Sequence, residues 1–118
     1  MDQPVPNVSR ADVERIVRLD FASADVSNAL AIVDECQKCH TGGDSPARVQ
    51  LAALKLADGD ISALRREIEA AKSDYRDVLV LAEYPRYWSE IGFDDVPDSV
   101  LSEVEDEDWR QYENWLRR

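Results

Sequence analysis

The sequence predicts an all-α protein, a single-domain antiparallel bundle of five or six helices, and three observations carry that expectation. Apolar residues recur at steps of three and four through most of the 118 residues, the spacing that puts them on one face of a helix. β-Branched and aromatic residues never cluster with the period of two that a half-buried strand needs. Four glycines and five prolines are too few for a chain rich in β turns. A hydrophobic content of 44% beside 33% charged residues supplies one core and marks a globular chain, not a disordered one.

Residues 1–8, with Pro4 and Pro6, read as a loose leader. Ser9 is a suitable N-cap for a helix over about 10–20, where Val13, Ile16 and Val17 share a stripe and Glu14 and Arg18 stand at i,i+4. Phe21 continues that stripe or packs at the junction. A second helix opens at Ser23 or Ala24 and runs to about 38. Val26, Leu30 and Val33 set its apolar face, Ala29, Ile32 and Cys36 widen it, and Gly42-Gly43 end it.

Ser45-Pro46 is a start signal, with Ser as cap and Pro at the first helical position. The helix over 46–57 is apolar on most sides and is expected to be the central one. Asp58-Gly59-Asp60 breaks the chain, with Gly59 just past one helix and Asp60 capping the next. From there Ile61, Leu64, Ile68, Ala71, Tyr75, Val78 and Ala82 form a regular seam. It predicts one helix to about 83, or two if Ser73-Asp74 acts as a cap, and Pro85 stops it. Residues 90–108 carry nine acids and no Lys or Arg. Pro97 starts a short helix through about 103, and a last helix is expected over 105–117, ending in Arg117 and Arg118 as the helix dipole favours. The core helices thus occupy 9–85, and 86–118 forms an acidic and aromatic C-terminal segment packing on them.

The net charge of −11 argues against direct binding to DNA, RNA or an anionic membrane surface and suits encounter with a basic partner. The N-terminal stretch has no basic start followed by an apolar run, so no signal peptide is expected. No run of about 18 apolar residues offers a membrane span. The expected compartment is the cytoplasm, where thiols stay reduced.

One motif carries chemistry. Cys36, Cys39 and His40 spell C-x-x-C-H, the haem-attachment pattern of c-type cytochromes. The rest of the chain does not support haem, because His40 is the sole histidine, Met1 the sole methionine, and no export signal precedes them. A redox pair wants its reactive thiol at a helix N-terminus, whereas Cys36 and Cys39 fall near a helix C-terminus beside Asp34 and Glu35. Zinc wants four ligands, and the chain offers these three and a carboxylate such as Asp44. The favoured reading is that Cys36 is a small buried hydrophobe and Cys39-His40 belong to the helix end, with no cofactor and no metal. A small metal-binding or thiol redox protein using Cys36, Cys39 and His40 is the alternative.

No other pattern nominates a catalytic site, and an enzyme is not the favoured reading. No phosphate-binding glycine motif occurs, and the Asp74 and Asp77 pair reads as solvated surface. The C-terminal aromatics are the candidates for binding. Trp88, Trp109, Tyr112 and Trp115 could anchor a partner, although packing of the last helix on the core is the favoured use of its aromatics. An acidic mimic of nucleic acid is a weaker reading.

The stretches ALKLADGD, 53–60, and AKSDYRDVLVLAEYP, 71–85, are worded specifically enough to compare. The second resembles a segment shared by a set of small bacterial helical proteins of uncharacterised function. The resemblance implies a compact helical bacterial protein and brings no activity, cofactor or site. The functional expectation is therefore a small acidic cytoplasmic protein that is non-catalytic and acts through protein-protein contacts, either with an unknown partner or as a homo-oligomer.

Overall fold

The structure is a computed structural model, and it describes residues 7–38, 46–87 and 97–118. Among them every regular element is helical: α1 (Arg10–Asp20), α2 (Val26–Asp34), α3 (Pro46–Ala57), α4 (Ile61–Glu83) and α5 (Asp98–Leu116). Tight 3-10 turns at Ser23–Asp25 and Glu35–Lys38 flank α2. No helix among the described residues is long and apolar enough to cross a membrane.

α1 starts where Ser9 is extended and its N–H donates to Asp12 Oδ2 at 3.0 Å, so a first-turn carboxylate satisfies a donor that the helix cannot. Val8 packs against the core just before the cap, in the manner of a hydrophobic staple, so the expected leader is tied down at its last residue. Val13, Ile16 and Val17 are fully buried and Phe21 closes the junction.

In α2 the buried row is Ala29, Ile32, Val33 and Cys36, while Val26 and Leu30 are only half-buried. The core face is therefore rotated from the expected Val26–Leu30–Val33 row. The four buried residues keep i,i+3,i+4,i+7 spacing, and the small Ala29 lets the backbone approach its neighbours.

α3 is the central helix, as expected. Val49, Gln50, Leu51, Ala52, Ala53, Leu54 and Ala57 are buried. Its one buried polar side chain there, Gln50, donates from Nε2 to the Val33 carbonyl at 2.9 Å, near the end of α2. That bond offsets the cost of placing an amide in the core.

The α3–α4 turn uses two left-handed residues, Asp58 at φ 49° and Gly59 at φ 82°. A Cβ on Gly59 would lie 2.7 Å from the Asp20 carbonyl oxygen, so the turn rests directly on the end of α1. Asp60 then caps α4 by accepting from Ala63 N–H at 2.9 Å. The chain folds back, and Arg48 in the first turn of α3 meets Glu83 at the last residue of α4, which makes the pair antiparallel.

α4 is two helical segments joined at Asp74, whose backbone is extended (φ −154°, ψ 98°). Asp74 Oδ1 accepts from Arg76 N–H at 3.1 Å, so its side chain caps the second segment. The buried row Leu64, Ile68, Ala71, Val78 and Ala82 crosses this break without changing face.

α5 is a single helix over 98–116, not a short one followed by a last one. Nothing between 103 and 105 breaks it, and Val104 sits at the seam as the first of the buried row Val104, Asp108, Tyr112, Leu116.

Candidate functional site

The C-x-x-C-H motif is described only at Cys36. Its side chain is fully buried in the cluster shared by α1 to α5, where a thiol packs as a small hydrophobe. Cys39 and His40 lie outside the described residues. Among the described residues no three His, Cys, Asp or Glu side chains converge to hold a metal ion.

The aromatic candidates divide. Tyr112 is fully buried, so this side chain belongs to the core and is closed to a partner. Its position in the i,i+4 row with Val104 and Leu116 points it inward. Trp115 is half-buried against the same core, with its ring 5.6 Å from that of Tyr112 and the Arg118 guanidinium 5.4 Å over its face. Trp109 is half-buried on α5, and Trp88 lies outside the described residues.

Sequence reasoning missed the polar groups that seat α5. Asp108 is the last acid of the 90–108 run, and it is 2% exposed. Its carboxylate accepts from Arg86 N–H at 3.2 Å and Tyr87 N–H at 2.8 Å, where the backbone turns helically again after Pro85. It caps that turn from another helix and so substitutes for a local cap residue. Its place in the Val104–Tyr112 row was the available signal. Arg86 also pairs with Glu107. Gln111 donates from Nε2 to the carbonyls of Ala82 and Glu83, both at 3.4 Å, at the end of α4.

At the other end of α5, Arg15 of α1 takes over as a C-terminal cap. Its Nη2 donates to the Leu116 carbonyl at 2.6 Å and its Nη1 to that of Arg118 at 3.2 Å, while Arg118 reaches Asp20 at 3.0 Å. Burial alone would raise the carboxyl of Asp12, but Ser9 N–H and Arg15 outweigh it and hold the group below its usual range.

Beneath α5 lies the most buried ion pair among the described residues, Arg48 with Glu83. Two phenols stand near it. Burial first, and the Glu83 charge next, push Tyr84 up to about 12 and Tyr112 up as well. Burial pushes the Lys55 ammonium down, against the pull of Asp108. These groups fasten helices together.

Two surface clefts are lined by described residues. One, of about 320 Å³, follows the α4 break from Ala71 to Arg76. Its cations are engaged: Lys72 with Glu35 and Glu69, and Arg76 with Asp74. The other, of about 440 Å³, is lined by Ala11, Glu14, Arg15, Arg18 and Leu19 on the outer side of α1.

The start of α5 lies on the surface. Pro97, Asp98, Ser99 and Val100 are all exposed, and no α5 residue before Val104 is buried. Asp98, Glu103 and Asp106 form no ion pair with a described residue. No family model, curated protein or solved structure matches the chain.

Proposed function

We propose that this chain acts through protein contacts, without catalysis of its own, and that the N-terminal half of α5 is the surface presented to a partner with a basic matching face. The observation that carries this is the composition of those first two turns. The apolar Val100 stands 40% exposed with Glu103 one turn along on its face, Asp98 and Asp106 lie elsewhere on the same half of the helix, and no Lys or Arg occurs before Arg110. Val100 is one of three exposed large apolar side chains among the described residues, with Leu19 and Leu81, and it is the one on α5. The unpaired carboxylates on that half would steer a cationic surface toward it. In the same reading the chain is a small acidic cytoplasmic protein folded as an antiparallel bundle, akin to the small bacterial proteins that its 71–85 segment resembles.

A photo-crosslinking residue placed at Val100, and in a control at the exposed Ser62 of α4, tests the surface in a lysate of the protein's own cell. The expected result is a discrete adduct at position 100 alone, lost when Asp98, Glu103 and Asp106 are changed together to Asn, Gln and Asn. Equal adducts at both positions, or an adduct indifferent to the three carboxylates, would overturn the proposal.

A further inference from the structure

We propose that the partner is a second copy of this chain, and that two copies pair through antiparallel α5 helices, each acidic N-terminal half lying along the arginine-lined cleft beside the C-terminus of the other's α5. The proposal rests on the reading that the start of α5 is a contact surface, and it identifies what covers it.

From Asp98 to Asp108 α5 carries acids and no base, whereas Arg110, Arg117 and Arg118 outnumber Glu113 beyond it; Arg117 pairs with Glu113 and Arg118 with Asp20, and Arg110 forms no ion pair with a described residue. The bonds from Arg15 to the Leu116 and Arg118 carbonyls bring α1 alongside that basic end. The outer stripe of α1 is the cleft of about 440 Å³ described above. Besides the Glu14 carboxylate and Arg15, which is bonded to Asp12 and to the carbonyls at the end of α5, it offers an acidic helix two further groups. Leu19, 53% exposed, is the most exposed large apolar side chain among the described residues. Arg18 beside it is exposed and forms no ion pair with a described residue.

One molecule cannot satisfy both surfaces itself. α5 has 19 residues, so its ends lie roughly 28 Å apart. The acidic turn and the cleft therefore face different neighbours. Antiparallel pairing satisfies both at once. It sets each acidic half against the other copy's basic end, opposes the two helix dipoles favourably, and closes after two copies because the same patch serves on each side. The solvent face of α5 suits this arrangement. Glu103, Asp106, Arg110, Asn114 and Arg117 are all exposed, follow steps of three and four, and run from negative to positive.

The net charge of −11 on each copy opposes association. Screening over about 8 Å at physiological ionic strength weakens that long-range repulsion more than it weakens pairs in contact. The dimer is therefore concentration-dependent, and its stability rests on the local match.

Sedimentation velocity across a concentration series, with charge-reversed variants at exposed positions, tests the pairing. Variant one carries Glu103→Arg and Asp106→Arg. Variant two carries Arg18→Glu and Arg117→Glu. Each alone meets like charges in an antiparallel pair and is expected to sediment as a monomer, while the wild type forms dimers. An equimolar mixture restores opposite charges at both ends and is expected to return to dimers. Circular dichroism of each variant verifies that the helices are intact. A wild type that stays monomeric at every concentration while the Val100 adduct persists overturns the second copy as partner and leaves the contact surface standing. Variants that dimerise as the wild type does overturn the pairing mode. Loss of both the dimer and the adduct removes both readings.

Discussion

Arg48 and Glu83 meet in a two-point contact, with Nε 2.9 Å and Nη2 2.8 Å from the two carboxylate oxygens, and this pair joins the start of α3 to the end of α4. Glu83 is 2% exposed. A buried pair of this kind contributes modestly when intact and costs heavily when halved, because the surviving charge is stranded. Glu83→Ala or Arg48→Ala is expected to destabilise the fold by about 3–5 kcal/mol, whereas Arg48→Met with Glu83→Leu together should be near neutral. Urea unfolding of Arg48→Met, Glu83→Leu and the variant carrying both completes the cycle. Additive single losses in the double variant would show that the residues do not act as a pair.

Asp108 caps Arg86 and Tyr87 from across the helix interface. Asp108→Ala leaves two backbone donors without their acceptor, and a loss of about 1–3 kcal/mol is expected. Hydrogen exchange at the amides of Arg86 and Tyr87 should accelerate more than exchange in α3. Asp108→Asn keeps one acceptor oxygen and should fall between wild type and Ala.

Gly59 is both left-handed and in contact with the Asp20 carbonyl. Gly59→Ala must strain the turn and push it off α1, so a loss above about 1 kcal/mol is expected. Thermal unfolding reads this as a fall of several degrees. The neighbouring Asp58→Gly, which relieves a positive φ without adding an atom, should leave the midpoint unchanged or raise it.

The buried phenols set an alkaline limit. Tyr84 and Tyr112 hold their protons more tightly in the folded chain than in the unfolded one. Their contribution is complete below about pH 10, the unfolded tyrosine value, and is lost as pH rises through the folded values. Phenolate absorbance followed with pH should show these two ionising late, together with loss of helix. Tyr112→Phe should soften the alkaline decline. At the acid end Asp12, held low, contributes stability that disappears as pH falls through its folded value.

Cys36 should behave as a core residue. In a Cys39→Ser background its thiol is expected to resist a disulfide reagent until the chain unfolds, because the side chain is fully buried. Rapid labelling of the folded protein would contradict this placement.

Periodicity, caps and breaks were legible in the sequence by itself. Ser9, Pro46 and Asp60 mark helix starts, Gly59 marks a left-handed turn where a side chain would collide, and Ser73-Asp74 marks a break that the backbone makes at Asp74. These signals are local, because capping and φ restriction depend on residues a few positions apart. The seam from Leu64 to Ala82 was readable for the same reason.

The remaining features depend on which residues meet across the fold, and no local pattern encodes that. The tertiary structure decided that α2 turns Ala29 and Ile32 inward and leaves Val26 and Leu30 half out. It placed Asp108, Glu83 and Gln50 inside, because each finds a partner far away in sequence: Tyr87, Arg48 and Val33. It also took Tyr112 into the core and left Val100 and Leu19 in water at opposite ends of α5. Which side chains a partner can reach is a property of packing, so sequence supplied the helices and their acidic character, and the fold selected the surface.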